Sequence, residues 1–272
     1  MKTKTLLFIL LLTLASCTKP AEHIVPQAPP GENNAALFPI NEEAIETQEL
    51  EYTPGARGFL ARPKAAGKHP AVIMIHEWWG LNDNIKTMAK SLASEGYIVL
   101  AVDLYNGEIT TDRNRAAQLT TRVNENQARA TENMQAAYRF LKQQDYANGK
   151  IAAIGWCFGG GMSLQLSLSG LNLDATIIYY GHLETKPETL KRINWPVLGI
   201  FGEKDTSIPL EQVRQFEQAL NSLGIENEIY TYPERGHAFA NPSGPNFATE
   251  DTKDAWQKTL NFLNKHLILV KK

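Results

Sequence analysis

Cysteine is nearly absent. The 272 residues hold two, Cys17 and Cys157, so a scaffold stapled by several disulfides is excluded, and so is a paired-cysteine motif for redox exchange or zinc. A basic surplus is also missing: 27 Lys and Arg stand against 29 Asp and Glu, a formal net charge of −2. Nothing in that balance argues for nucleic acid or an anionic membrane surface as partner. No internal repeat and no long apolar run is present. The most apolar stretch, Leu6 to Leu14 with Thr13 inside it, is too short for a comfortable transmembrane helix. With 43% hydrophobic and 21% charged residues, the composition is that of a globular chain with enough apolar material for one domain and a large core.

That short apolar run does have a use. Lys2 and Lys4 precede it, and Leu14-Ala15-Ser16-Cys17 follows it, the pattern of a bacterial lipoprotein signal cut before a cysteine that is then acylated. Residues 1–16 are therefore expected to be a signal peptide and Cys17 a lipidation site. The protein is then a lipid-anchored one of the cell envelope, at the periplasmic face or the cell surface. With Cys17 acylated, Cys157 is the only free thiol, and a lone thiol in an oxidising compartment is a liability unless it has a use. Residues 17–45, rich in Pro, Ala, Asn and Glu, read as a flexible tether, and 46–272 as the folded domain.

Within that domain, short apolar runs alternate with longer amphipathic ones. Glu46–Tyr52 and Ala56–Arg62 suggest an edge hairpin around Pro54-Gly55. Ala71–Ile75, Tyr97–Val102, Ile151–Ile154, Ala175–Tyr180, Val197–Phe201 and Glu228–Tyr232 suggest strands. Helices are expected from Asn82 or Asp83 to Ser94, twice between Thr110 and Gln144, from Gly160 to Ser169, from Leu210 to Leu220 and from Thr252 to His266. Strands of about five residues alternating with helices of ten or more call for an α/β fold, a mostly parallel sheet with helices on both faces.

In such a sheet, sites form beyond the C-terminal ends of the strands. Cys157 follows one strand within Gly155-Trp156-Cys157-Phe158-Gly159-Gly160, the strand–turn–helix setting of a nucleophile elbow with a thiol at its apex. At a helix N-terminus, free N–H groups and the helix dipole favour a thiolate. Asp205 follows another strand, in Gly202-Glu203-Lys204-Asp205, and His237 a third, in Pro233-Glu234-Arg235-Gly236-His237. The order nucleophile, acid, histidine is that of α/β-hydrolases. It predicts that Asp205 fixes the His237 tautomer and that His237 exchanges a proton with Cys157. His76-Glu77-Trp78-Trp79-Gly80 follows the strand Ala71–Ile75 and faces the elbow in that fold. Trp78 and Phe158 are the expected backbone donors of an oxyanion hole. His76 reads as a packing or pocket-wall residue, and no zinc spacing is present.

These segments, with Gly236-His237-Ala238-Phe239, resemble the dienelactone hydrolase family over about Thr47 to Leu267. The resemblance implies an α/β-hydrolase fold and a cysteine hydrolase of an ester or lactone that needs neither metal nor cofactor. It also implies that Glu77 takes the thiol proton when substrate arrives, with Cys157 a neutral thiol at rest. The family's dienelactone enzymes hold a substrate carboxylate with two arginines. One corresponds to Asn241 here; the other lies after the fourth strand, where Arg113 and Arg115 are candidates. Asn cannot replace a charge-assisted clamp, so an unspecified ester or lactone is expected rather than dienelactone itself. Trp78, Trp79, Tyr105, Trp156 and Phe239 suggest an aromatic-lined pocket, with Trp79, Tyr105, Arg113, Phe239 and Asn241 as substrate-binding candidates. A monomer is expected. The competing expectation is a non-catalytic protein that binds a small molecule or glycan on the same fold.

Overall fold

The computed structural model describes residues 37–268. The expected signal peptide over 1–16, the expected lipidation site Cys17 and most of the expected tether lie outside these residues. Among the described residues no helix is long and apolar enough to cross a membrane.

Eight strands form one sheet: β1 (Ile45–Thr53), β2 (Ala56–Pro63), β3 (His69–Ile75), β4 (Ile98–Val102), β5 (Ala147–Trp156), β6 (Ala175–Tyr179), β7 (Val197–Gly202) and β8 (Asn227–Tyr232). The spatial order is β1-β2-β4-β3-β5-β6-β7-β8. β1 pairs antiparallel with β2 and β2 antiparallel with β4. Every later pairing is parallel. The helices are α1 (Asp83–Ser94), α2 (Arg113–Glu125), α3 (Gln127–Lys142), α4 (Phe158–Ser167), α5 (Pro187–Leu190), α6 (Leu210–Ser222) and α7 (Thr249–Leu267). The one-turn helix α5 has no counterpart in the sequence reading, because four residues carry no periodicity. α1 is capped by Asn82, whose side chain accepts from Ile85 N–H. That satisfies one of the donors a helix start leaves open.

Alternate residues of the central strands face opposite sides. Ile73, Ile75, Leu100 and Ala153 join a core with Leu119 of α2, Met134 and Leu141 of α3, Met162 of α4 and Phe216 of α6. Val72, Met74, Val99 and Ile154 join a second core with Met88 and Leu92 of α1 and Trp256, Phe262 and Leu263 of α7. Strands buried on both faces explain the unbroken apolar runs in the sequence.

The folded body starts before residue 46, so the tether ends earlier than expected. Leu37 and Phe38 are buried, and the Phe38 ring meets Trp256 edge-on with centroids 5.0 Å apart. Burying a large apolar pair against α7 outweighs the loop-like composition around it.

The register lines up the rim that carries the site. Ile75 of β3 pairs with Gly155 of β5, Trp156 with Tyr179 of β6, Tyr179 with Ile200 of β7, and Gly202 with Tyr232 of β8. His76, Cys157, Tyr180, Asp205 and His237 therefore leave the sheet at the same edge.

Candidate active site

Cys157 lies between β5 and α4 with φ 54° and ψ −117°, a backbone region that side-chain-bearing residues avoid at a cost of about 1–3 kcal/mol. The surrounding glycines make the turn possible. A Cβ on Gly155 would stand 2.0 Å from the Gly159 carbonyl oxygen, and one on Gly159 would stand 2.3 Å from that of Ile75. The second contact draws the start of α4 against the end of β3. The two loops that flank the sulfur are thereby brought together.

The thiol, the imidazole and the carboxylate converge. His237 Nε2 lies 3.0 Å from Cys157 Sγ, and His237 Nδ1 lies 2.8 Å from Asp205 Oδ2. The Asp205 side chain is fully buried, whereas His237 keeps part of its ring exposed. The other Asp205 oxygen accepts the N–H groups of Ser207 at 2.7 Å and Ile208 at 3.1 Å. A carboxylate so held accepts the hydrogen bond of Nδ1–H, leaving Nε2 as an acceptor toward the S–H. Asn246 fixes the loop by donating to the His237 carbonyl at 2.8 Å.

Burial pushes the Cys157 thiol up to about 12. The nearby carboxyl groups of Glu77 and Asp205 act in the same direction, and the backbone N–H groups of Phe158 and Trp78 pull it down. Desolvation thus outweighs the helix N-terminus that favoured a thiolate on sequence grounds. The resting residue is a neutral thiol. The same two N–H groups, one from each flanking loop, face the sulfur.

Glu77 is buried, and burial raises its carboxyl to about 8. Below that pH the resting acid keeps its own proton and is not a free base for the thiol. Its Oε2 accepts from the Asn241 side-chain amide, and the Asn241 Oδ1 accepts Ser243 N–H at 2.8 Å. Asn241 is itself buried, so it serves Glu77 and its own turn instead of standing free for a ligand.

The remaining substrate-binding candidates separate. Trp78 and Trp79 are half-buried with ring centroids 4.7 Å apart, at the outer face of the loop. Tyr105 is buried and packs on His76 at 4.6 Å and Phe158 at 5.7 Å. Phe239 is completely buried, packed between Tyr232 at 4.9 Å and Tyr180 at 5.8 Å; it belongs to the core behind the imidazole. Arg113 is exposed in the first turn of α2, with no ion pair among the described residues. Arg115 grips Glu108 with two nitrogens. A cavity of about 560 Å³ lined by Tyr105, Glu108, Arg122, Arg129 and Arg139 lies beyond Tyr105; Cys157, Asp205 and His237 do not line it. Among the described residues no cluster of His, Cys, Asp or Glu is arranged to hold a metal.

Tyr180 was not singled out from sequence. It follows β6 with φ 36° and stands edge-on to the His237 ring at 5.3 Å. Its buried hydroxyl is held far above the ordinary tyrosine range by desolvation and by the proximity of Glu77 and Cys157. Its place as the last residue of the expected strand Ala175–Tyr180 was the available signal.

The sequence profile of the dienelactone hydrolase family matches residues 56–267. A "putative carboxymethylenebutenolidase" of Saccharolobus solfataricus is 31% identical over 246 residues, covering 77% of this chain and 93% of its own length. The protein of the same name in Escherichia coli is 30% identical over 226 residues, covering 76% of this chain and 82% of its own. Among solved structures, a "putative dienelactone hydrolase" from Klebsiella pneumoniae superposes with a TM-score of 0.71 at 27% identity, over 82% of this chain and 100% of the other. A dienelactone hydrolase-like promiscuous phosphotriesterase from metagenomic libraries gives a TM-score of 0.76 at 24% identity, over 83% of this chain and 100% of the other, a likeness of fold alone.

Proposed function

The chain belongs to the dienelactone hydrolase family, and from that premise and the site geometry we propose that it hydrolyses a carboxylic ester or lactone through a thioester on Cys157. The observation that carries this is the unbroken hydrogen-bonded line from Asp205 through His237 to the Cys157 sulfur, set beside two N–H donors from separate loops. The names of the curated relatives, which refer to a lactone hydrolase, support the substrate class.

The steps follow from what each group can hold. Cys157 Sγ attacks the substrate carbonyl as its proton passes to His237 Nε2, and Asp205 stabilises the imidazolium that results. Charge gathers on the former carbonyl oxygen, where the Trp78 and Phe158 N–H groups receive it. Collapse expels the alkoxide, which takes the proton from Nε2 and leaves a thioester. A water then gives a proton to Nε2 and attacks the thioester; the second collapse releases the acid and returns the proton to sulfur. Glu77, neutral below about pH 8, spares the forming thiolate a second negative charge nearby.

The test compares p-nitrophenyl acetate hydrolysis by the wild type and by Cys157→Ala. The expected result is loss of turnover in the variant with its thermal unfolding unchanged. Equal rates would reject the thioester route and favour a binding protein on the same fold.

A further inference from the structure

The peptide between Glu77 and Trp78 supplies one of the two N–H groups that face the sulfur, and its orientation is decided at its other end. A trans peptide points its C=O and N–H in opposite directions, and no cis peptide occurs among the described residues. The Glu77 carbonyl is held by His76 Nδ1 at 2.6 Å and, more loosely, by Gly80 N–H at 3.3 Å. The second ring nitrogen of His76, Nε2, receives Leu104 N–H at 3.1 Å. A backbone amide can only donate, so Nε2 carries no proton and the ring proton sits on Nδ1, the nitrogen that reaches Glu77. Leu104 is in turn fixed, because the adjacent Tyr105 N–H donates to Asp103 Oδ1 at 2.8 Å.

The imidazole has no freedom to do otherwise. His76 is fully buried, with Tyr105 at 4.6 Å and Phe158 at 6.0 Å from its ring. Desolvation holds its pKa below the ordinary histidine value, so the ring stays neutral and keeps this tautomer. A histidine buried only for packing needs one partner per nitrogen from anywhere. Here both partners are backbone groups, one from the loop after β3 and one from the loop after β4.

We propose that His76 is a positioning residue for the oxyanion hole: its neutral ring clamps the Glu77–Trp78 peptide to the loop at Leu104 and so aims the Trp78 N–H at the place where the substrate oxyanion forms. The proposal rests on the hydrolase reading above. It adds to that reading what keeps one of the two donors in register.

Two variants separate clamping from packing. His76→Phe fills the ring volume with neither donor nor acceptor. His76→Gln keeps one amide donor and one carbonyl acceptor. For each, three quantities are measured: kcat and KM for p-nitrophenyl acetate, the rate at which iodoacetamide alkylates the Cys157 peptide at the same pH, and thermal unfolding. Alkylation displaces iodide and forms no oxyanion. We expect His76→Phe to lose about 10²-fold in kcat, the usual effect of one oxyanion donor, with KM within threefold of wild type and alkylation lowered by no more than about tenfold, because the Trp78 N–H also pulls the thiol pKa down, and His76→Gln to recover at least tenfold of the kcat loss. Full turnover in the Phe variant would overturn the proposal, as would ester turnover and alkylation falling in the same proportion. A measurement on the wild type holds even if the Phe variant does not fold. In ¹⁵N-histidine-labelled protein the His76 proton is expected on Nδ1, and a proton on Nε2 would refute the clamp. Failure of the hydrolase reading is seen separately, as equal turnover by wild type and Cys157→Ala.

Discussion

Replacing Glu77 by Gln changes one proton and almost no volume, and the buried site gives that change a definite size. Burial lifts the Glu77 carboxyl from an ordinary 4.5 to about 8. The unfolded chain releases this proton above pH 4.5, while the folded chain keeps it until about pH 8. Between those values the unfolded state binds fewer protons, so the group lowers stability as pH rises. The sign is opposite to that of a salt-bridged carboxylate. Its destabilising effect is small below pH 4.5, grows through the window and is complete above about pH 8. At pH 5 it amounts to about 1 kcal/mol and at pH 7.5 to about 4 kcal/mol, on the rule that one pKa unit is about 1.4 kcal/mol. Gln stays neutral at every pH and still offers an oxygen to Asn241. Glu77→Gln is therefore expected to be the more stable protein, with an advantage that widens by about 3 kcal/mol from pH 5 to pH 7.5. For a domain of this size that corresponds to about 6–12 °C in unfolding temperature. Thermal unfolding of both proteins at half-unit steps from pH 4.5 to 8.5 reads the difference directly, because every other titrating group cancels. Parallel stability curves would show that Glu77 ionises normally in the fold, and the account of a neutral acid beside the thiol would fall.

Two further outcomes test the triad. With its thiol raised to about 12, Cys157 is expected to react with iodoacetamide at a rate that climbs about tenfold per pH unit from pH 7 to 10, followed by mass spectrometry of its own peptide; a levelling off above about pH 9 would show a thiol of ordinary acidity. Asp205→Asn should lower kcat by roughly 10³–10⁴-fold with KM little changed. The N–H groups of Ser207 and Ile208 claim the amide oxygen, so the NH₂ faces His237 and forces the ring proton onto Nε2, where it blocks the thiol. A loss below tenfold in steady-state p-nitrophenyl acetate kinetics would remove Asp205 from that role.

What could be read in the chain beforehand depended on how local its cause was. The strands β3 to β8 were legible because a buried parallel strand must be apolar on both faces, and Ala71–Ile75 or Val197–Phe201 leave no other use for such a run. The meeting of Cys157, Asp205 and His237 was legible for a topological reason: a parallel sheet puts all its C-terminal ends on one rim, so residues 48 and 32 positions apart arrive together once each follows its strand. The start of the body at Leu37 was not legible, since only the distant Trp256 makes Phe38 a core residue. The aromatic and polar residues of the loops were not legible either. Phe239, Tyr105 and Asn241 have the composition of a pocket wall, and nothing in their spacing tells a side chain facing ligand from one facing the core.

Protonation was the least accessible property, and the reason is physical. Cys157 stands at a helix start that favours a thiolate, and that local signal is correct in sign: the Phe158 N–H does pull the thiol pKa down. The outcome is set by desolvation. Glu77 comes from the loop after β3, Tyr180 follows β6, and Asn241 and Phe239 come from the segment after β8. Glu77 and Tyr180 lie near the sulfur, Asn241 holds Glu77 and Phe239 packs on Tyr180, and none of them contributes a cation. Each segment alone looks like an ordinary loop. Only the closed arrangement makes the carboxyl, the thiol and the phenol all keep their protons. His237, whose ring keeps an exposed edge, is on the proposed mechanism the group through which protons enter and leave. On the proposed mechanism, such a site would keep its nucleophile uncharged until a carbonyl is seated against the Trp78 and Phe158 N–H groups, which would tie thiolate formation to the presence of substrate.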